Sequence, residues 1–265
     1  MIDFTLKVFT TLVNSFSESG YNFQTFSGFI ENPQNRAIVL RHDIDLKKKQ
    51  ALVFARLEND LNVKATYFFR TVRSIYDPEI IKQVAGLGHE IGYHYEDVSR
   101  ARGDLDKAMK MFQNHLSKLR TLYPVKTICM HGKSLSRYDN KKLWAKYNYR
   151  DFEIIGEPYF DIDFNEVLYL TDTAQRWNGG DISVRDHVRS GFDFSFHTTF
   201  DIINNVDKLP DKIMLTVHPD RWTDNPLEWV RIKSVVILKN LIKKNILKKR
   251  SIKLTGPKDE SDSSR

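Results

Sequence analysis

The chain has 265 residues, of which 41% are hydrophobic and 12% are aromatic, and it carries a net charge of +7. A chain of this length can bury a large core in one domain, and it has no run of about 18 apolar residues that would span a bilayer. The N-terminus shows no signal-peptide pattern, and Cys129 is the only cysteine, which excludes an internal disulfide. We therefore expect a globular, cytoplasmic protein.

Apolar runs alternate with amphipathic segments along the chain, which predicts strands and helices in turn. A leading helix is predicted from Thr5 to Glu18 because Val8, Leu12 and Phe16 fall on one stripe. Strands are predicted at Ala37–Leu40, Val63–Phe69, Ile91–His94, Val125–Met130, Phe152–Ile155, Val167–Thr171 and Lys212–Val217. The later helices are predicted at Leu46–Asn62, Asp77–Leu87, Asp104–Leu122, Asp139–Tyr147 and Pro226–Lys249. This alternation is typical of a parallel barrel or a doubly wound sheet.

The last predicted helix combines aliphatic residues with many lysines. It either packs its apolar face on the body of the protein with the lysines in solvent, or makes peripheral contact with an anionic membrane surface. No nucleic-acid-binding module is recognisable, so nucleic acid is not an expected partner. Residues 255–265 have little to bury and are predicted to be a disordered tail. One domain is therefore expected over residues 1–254.

Acidic and histidine side chains follow three of the predicted strands. Arg41-His42-Asp43-Ile44-Asp45 ends the first strand, Gly88–His94 contains the third, and Leu215–His218 ends the last. Because right-handed crossovers bring the carboxyl ends of parallel strands to one face, these side chains are expected to lie together. The pattern favours a metal-assisted hydrolytic site.

The same segments resemble the polysaccharide deacetylase superfamily, also called the NodB-homology or carbohydrate esterase family 4 fold. Val63–Phe68 is similar to the family's second strand, N-V-K-A-T-F-F, and Gly88–His94 to its G-H-E-I-G-N-H segment. Leu215–His218 is similar to the late L-x-H motif, and Arg41–Asp45 stands where the family has T-F-D-D-G. The resemblance implies an α/β fold, a single distorted (β/α) barrel, that removes N-acyl groups from sugars with a divalent metal.

By position, the resemblance implies that Asp43 is the general base and that His94 is a metal ligand. His218 would be the general acid, which donates a proton to the departing amine. The second aspartate of the family pair is displaced, since Ile44 stands in its place and Asp45 follows. Either aspartate would alternatively cap the helix that comes next.

Two positions depart from the family pattern. The second metal histidine falls at Val98, and the R-P-P-Y segment is replaced by Met130-His131-Gly132-Lys133. A hydrolytic zinc site needs three protein ligands and one open position. We therefore predict that Asp45, His94 and His131 bind a divalent ion, zinc. Structural or surface roles are expected for the remaining histidines, which are His42, His89, His115, His187 and His197.

Substrate contacts are expected from polar and aromatic residues near the late strands. These residues are Asp172, Arg176, Trp177, Arg221 and Trp222, although Trp177 would alternatively belong to the core. The predicted function is a metal-dependent hydrolase that removes an acetyl or formyl group from an N-acylated sugar or glycan precursor. Two alternatives remain: another carbon–nitrogen amide hydrolase on the same fold, and a degenerate member that binds glycan without turnover.

Overall fold

Seven parallel strands form the centre of the computed structural model, which describes residues 2–132, 136–177, 188 and 190–239. The strands are β1 (Asn22–Gln24), β2 (Ala37–Ile44), β3 (Thr66–Phe69), β4 (Glu90–Tyr95), β5 (Ile128–Met130), β6 (Leu168–Thr171) and β7 (Lys212–Val217). Their order is β5-β4-β3-β2-β7-β6, and β1 pairs with the first part of β2. All six strand pairings of the described residues are parallel.

Helices flank this sheet. They are α1 (Leu6–Glu18), α2 (Phe26–Glu31), α3 (Lys48–Asp60), α4 (Pro78–Gly86), α5 (Asp97–Arg100), α6 (Leu105–Arg120), α7 (Pro158–Asp161) and α8 (Thr199–Ile203). Residues 226–239 form a further helix. Short 3-10 helices lie at Asn140–Ala145, Tyr149–Phe152, Thr173–Gln175, Val206–Lys208 and Pro219–Arg221. No helix of the described residues is long and apolar enough to cross a membrane.

The local sequence accounts for these boundaries. Thr5 caps α1 by accepting a hydrogen bond from the Val8 amide, and the apolar stripe of that helix is buried. Asp77 caps α4 in the same way, with Pro78 in the first turn. Strand β2 is buried along its whole length, as expected for a strand covered on both faces of a parallel sheet.

The predicted α/β class, of the distorted barrel type, is confirmed by the strand directions and by the helices around the sheet. Strand β2 holds the centre, pairing with β7 from Ala37 to His42 and with β3 from Arg41 to Ile44. Strands β5 and β6 stay unpaired with each other in the described residues, so the sheet remains open there. The carboxyl ends of β2, β4, β5 and β7 nevertheless share one edge, and this edge carries the candidate site.

The strand predicted at Phe152–Ile155 is wrong. Phe152 ends a 3-10 helix, and Glu153 has a φ of 59°, a left-handed conformation that interrupts extended backbone. Within the described ranges, a single parallel bridge between Thr127 and Gly156 extends the sheet at this side. The short helix expected from Asp139 to Tyr147 is a 3-10 helix over Asn140–Ala145.

The predicted C-terminal helix is helical over residues 226–239. The remainder of that prediction, the predicted tail at 255–265 and His187 lie outside the described residues. The domain boundary at residue 254 therefore stays a prediction.

Candidate functional site

Asp45, His94 and His131 come together at the carboxyl edge of the sheet, and their donor atoms all lie within 4.8 Å of one another. His94 Nε2 is 3.4 Å from Asp45 Oδ1, and His131 Nε2 is also 3.4 Å from this oxygen. The three side chains come from the ends of β2, β4 and β5. These are the three residues predicted as metal ligands, and Val98, the family position of the second histidine, is packed in the core at 2% exposure.

Both imidazole rings turn Nε2 toward Asp45 because Nδ1 faces another partner. His94 Nδ1 lies 3.0 Å from the carbonyl oxygen of Cys129. A carbonyl only accepts hydrogen bonds, so His94 Nδ1 carries the proton and Nε2 keeps its lone pair. His131 Nδ1 lies 3.3 Å from Glu96 Oε2 but makes no hydrogen bond with it. Both rings thus turn Nε2 toward Asp45, and the Cys129 carbonyl orients His94 as an outer partner orients a metal ligand.

The Asp45 carboxylate completes this donor set. Its Oδ1 is buried and has no hydrogen-bond partner among the described residues. Burial raises the pKa of Asp45, but His131 and His94 lower it more, so the pKa lies well below its ordinary value and the group is ionised. An ionised oxygen facing two imidazole nitrogens is a donor set that zinc accepts. The residues present therefore fit a divalent cation.

Asp43, His94 and Cys129 form a second combination of donor atoms within 4.8 Å. Both carboxylate oxygens of Asp43 accept hydrogen bonds from Arg41, at 2.8 Å from Nε and 2.7 Å from Nη2. Asp45 Oδ1 has no such competitor among the described residues. The set around Asp45 is consequently the better cation site.

Arg70 and Glu96 support this site from behind, and sequence reasoning did not identify them. Arg70 Nη2 donates to both Glu96 oxygens, at 2.8 and 2.9 Å, and Arg70 Nη1 donates to the Asp45 carbonyl oxygen at 2.9 Å. Burial raises the pKa of Glu96, but His131 and Arg70 lower it by more than burial raises it, so the pKa is about 2. In the Arg70–Glu96 ion pair, the arginine thus holds the backbone of Asp45 and the glutamate faces the ring of His131. The sequence signal is an acid directly after the end of β4.

Asp43 lies deeper in the site, at the end of β2, and is 4% exposed. Burial raises its pKa, but Arg41 and His94 lower it to about 2. Asp43 Oδ2 is 3.7 Å from His94 Nε2 and 4.0 Å from His218 Nε2. Arg41 was also missed, although residues two apart on a strand point to the same face.

His218 faces the site from the end of β7. Its Nδ1 lies 2.6 Å from Asp172 Oδ1, and its backbone amide donates to Asp172 Oδ2 at 2.9 Å. His218 Nε2 is 4.0 Å from oxygens of both Asp43 and Asp45. Burial and Arg221 lower the pKa of His218, but Asp172 and Asp45 raise it more, so it lies above its ordinary value. The ring turns Nε2 toward the site.

The residues expected to contact substrate occupy different environments. Asp172 is fully buried, and besides His218 its oxygens accept from Trp222 Nε1 at 2.7 Å and Arg221 Nη1 at 3.1 Å. Trp222 and Trp177 are 1% and 4% exposed, and Trp177 Nε1 donates to Thr199, which places both indoles in the core. Arg176 is exposed. Asp172 thus bonds to His218 and is itself held by Arg221 and Trp222, and the role of these residues as substrate contacts stays a prediction.

His42 and His89 lie on the opposite side of β2, away from the candidate metal ligands. His42 Nε2 is 2.5 Å from Glu58 Oε1, and Tyr67 donates to the other oxygen of Glu58 at 2.6 Å. His89 Nε2 lies 2.9 Å from the carbonyl oxygen of Ala55. Both histidines are buried and hydrogen-bonded, as their strand positions predict.

Comparison with solved structures finds proteins of low sequence identity. A family 4 carbohydrate esterase pseudoenzyme from Bacillus anthracis is 13% identical, with a TM-score of 0.46, over 80% of this chain and 63% of that one. A family 4 carbohydrate esterase from Streptomyces lividans is 15% identical, with a TM-score of 0.42, over 79% and 90% of the two chains. A peptidoglycan deacetylase from Bacillus subtilis is 13% identical, with a TM-score of 0.37, over 80% and 98%.

The chain therefore spans less than two thirds of the Bacillus anthracis structure. No protein-family model matches this chain, and no curated protein matches it. The solved structures found in this comparison are polysaccharide deacetylases and pseudoenzymes of carbohydrate esterase family 4, the family that the sequence motifs resemble.

Proposed function

We propose that this protein is a metal-dependent hydrolase that removes an N-acyl group, acetyl or formyl, from a sugar or glycan precursor. The observation that carries the proposal is the convergence of Asp45, His94 and His131 within 4.8 Å, with Asp43 and His218 facing the same space. Zinc bound by these three ligands would supply Lewis-acid chemistry for attack of water on an acyl carbon. The family resemblance supports the N-acyl sugar as the substrate class.

Asp43 is the group that takes a proton from the attacking water in this proposal. Its Oδ2 faces the space between His94 and His218, and Arg41 fixes the orientation of the carboxylate. With a pKa of about 2 it is ionised at neutral pH and ready to accept a proton, although so low a pKa makes it a weak base. Its position, more than its basicity, supports the role.

His218 is the group that gives a proton to the departing amine. Asp172 holds Nδ1 at 2.6 Å and raises the pKa of the ring, which keeps a proton available on Nε2. Asp172 acts as a positioning residue, as does Trp222, which donates to the same carboxylate. The division of labour between an ionised Asp43 and a protonated His218 is what acid–base catalysis of amide hydrolysis requires.

A second function, glycan binding without turnover, is favoured by one observation. The bidentate pair of Arg41 with Asp43 lowers the pKa of the proposed base to about 2, which weakens it as a proton acceptor. The other alternative, a different carbon–nitrogen amide hydrolase, shares every residue role of the main proposal and differs only in substrate.

Metal content followed by a substrate screen tests the proposal. The purified chain should bind one equivalent of zinc and should release acetate or formate from N-acetylated or N-formylated nucleotide sugars. His131→Ala should lose both properties, whereas His115→Ala, on α6, should keep zinc binding and turnover. Stoichiometric zinc with hydrolysis only of amides that are not sugars would support the other hydrolase. Inability to take up zinc, combined with glycan binding, would overturn the enzyme proposal.

A further inference from the structure

The helix of residues 226–239 presents aliphatic side chains to solvent. Leu227 is 83% exposed, Val230 56%, Ile237 52% and Leu238 59%. At 3.6 residues per turn these four positions fall within an arc about 100° wide. On the other side of the helix, Trp229 Nε1 donates to the Asp3 carbonyl oxygen at 2.7 Å. The helix is therefore anchored by one face, while its other face leaves an apolar strip, defined here as Leu227, Val230, Ile237 and Leu238.

Positive charge accompanies the apolar strip. Arg231 borders it, about 20° outside its arc, and is exposed, whereas Lys239 is exposed on another face of the helix. The sequence beyond the helix adds five more basic residues, which are Lys243, Lys244, Lys248, Lys249 and Arg250. Glu228 is the only acid between residues 226 and 250, and its carboxylate bonds to Lys47 Nζ at 2.6 Å and to Thr223 at 2.8 Å. The segment therefore combines exposed apolar surface with a large excess of positive charge.

The apolar strip begins beside the candidate site. The Lys47–Glu228 ion pair joins the start of the helix to the loop that carries Asp45. Leu46, between Asp45 and Lys47, is itself 59% exposed. A surface that receives this helix would consequently lie next to the loop of the proposed metal ligand.

We propose that helix 226–239 docks on an anionic membrane surface. The apolar strip would enter the boundary between headgroups and acyl chains, while the arginine and lysines would meet anionic headgroups, as in interfacial amphipathic helices. Electrostatic attraction of such basic segments adds to the burial of apolar area. The docking itself rests on exposure and charge, and its consequence, access of the site to a lipid-linked sugar precursor, rests on the proposed function.

Other occupants fit the helix less well. A second copy of the chain would bring Arg231 and Lys239 against the same basic residues, which repel. Nucleic acid would satisfy the charges, but it would leave four large aliphatic side chains without an apolar partner. Of the chain that follows the helix, residues 251–265 offer only Ile252 and Leu254 as aliphatic residues, and Leu241, Ile242, Ile246 and Leu247 stand next to lysines whose positive charge would meet Arg231.

Sedimentation with lipid vesicles tests the docking. The full chain should bind vesicles that contain 30% phosphatidylserine, and binding should weaken as salt is raised and be lost on pure phosphatidylcholine. The double variant Leu227→Gln/Leu238→Gln should bind about tenfold less tightly or worse, because two leucines no longer leave water. The double variant Arg231→Gln/Lys239→Gln should lose affinity by about fivefold for each charge.

Lys107→Gln/Lys110→Gln is the matched control, because it removes two exposed lysines from α6. It should bind vesicles like the unchanged chain, and all variants should hydrolyse a water-soluble N-acyl sugar at equal rates. Equal binding to both kinds of vesicle, or no binding at all, would overturn the docking while leaving the proposed function intact. A dimer in solution that Leu227→Gln/Leu238→Gln dissociates would assign the strip to a second copy, and binding to DNA alone would also overturn the proposal.

Discussion

His131 Nε2 lies 3.4 Å from Asp45 Oδ1, although β3 and β4 separate the two parent strands in the sheet. His94, from β4, lies at the same distance from this oxygen and fills the space between them. Asp45 Oδ1 is buried and has no hydrogen-bond partner among the described residues, so two imidazole nitrogens face an oxygen that a cation would satisfy. This relationship is the basis of the predictions on metal binding.

The first prediction is that His131→Ala greatly weakens zinc binding. Removal of a ligand should cost more than the roughly 10–100-fold loss typical for an outer partner of a metal ligand. Titration calorimetry with the metal-free protein measures the change, and circular dichroism checks the fold. His115→Ala is the control, since His115 bonds to Asp97 and Tyr93 outside the site. Unchanged zinc affinity in His131→Ala would remove His131 from the ligand set.

The second prediction concerns Glu96 as a positioning residue. Glu96→Gln should weaken zinc binding by about 10–100-fold, because the carboxylate that faces His131 Nδ1 is replaced by a neutral amide. Nitrogen NMR shifts of His131 in the metal-free protein should also reveal a mixture of tautomers. Glu153→Gln, a change at an exposed acid, should alter neither property. Loss of zinc affinity without any change of tautomer would assign Glu96 a purely structural role.

The third prediction is that Asp43→Asn abolishes turnover while leaving zinc binding largely intact. The carboxylate is needed for proton transfer, whereas the proposed ligands are other residues. The variant should be less stable by about 3–5 kcal/mol, because Arg41 stays buried without a counter-charge. Calorimetry, rate measurement and urea unfolding at a temperature where the variant is folded separate these effects. A folded variant that no longer binds zinc would make Asp43 a ligand.

The strand ends were predictable from sequence, whereas the partners that orient them were not. Asp45, His94 and His131 follow three apolar runs, and parallel strands must end at one edge, so their approach follows from the pattern. Arg70, Glu96 and Asp172 act through hydrogen bonds whose geometry depends on the register of neighbouring strands. The pairing of β6 with β7, for example, sets Asp172 beside His218, and no local pattern encodes this contact.

The error at Phe152–Ile155 has a local cause. Phe152, Ile154 and Ile155 read as a buried strand, and Ile154 is indeed 2% exposed. A single left-handed residue, Glu153, turns the backbone out of the extended form. Apolar content predicted the burial of Ile154, but backbone conformation at one residue decided the secondary structure of the segment.

The fourth prediction is a pH dependence of stability that Glu157 causes. Burial raises the pKa of Glu157 to about 7, although the amides of Tyr159 and Met130 and the charge of Arg41 lower it. The folded pKa exceeds the unfolded value of about 4.5. The protonated Glu157 therefore stabilises the folded state, and its contribution to the free energy of unfolding is fully present below pH 4.5. It is lost as the pH rises through 7, by up to about 3 kcal/mol.

Urea unfolding between pH 5 and pH 8 measures this loss. In Glu157→Gln the free energy of unfolding should fall less steeply with pH over this range. This change of slope is expected even if the substitution also changes the stability at a single pH. Glu166→Gln, at an exposed position, should keep the slope of the unchanged chain. A slope that is identical in Glu157→Gln would mean that other groups titrate in this window.

The last prediction is that Asp172 sets the protonation of the proposed general acid. His218→Ala should slow hydrolysis by about 10²–10⁴-fold, and least for substrates whose leaving amine is weakly basic. Asp172 raises the pKa of His218, so Asp172→Asn should lower this pKa and move the alkaline limb of the kcat/KM profile to lower pH. Zinc affinity should stay unchanged in both variants because the proposed ligands lie on β2, β4 and β5.

The contrast between substrates decides the role of His218. If His218→Ala slows hydrolysis by the same factor for substrates with good and with poor leaving groups, the imidazole shapes the pocket and does not donate the proton. If Asp172→Asn lowers the rate at every pH without moving the profile, Asp172 maintains the structure around Trp222 and Arg221. A His218→Ala protein that no longer binds zinc would place His218 in the ligand set, where its Nε2 at 4.0 Å from Asp45 Oδ2 would compete with His131.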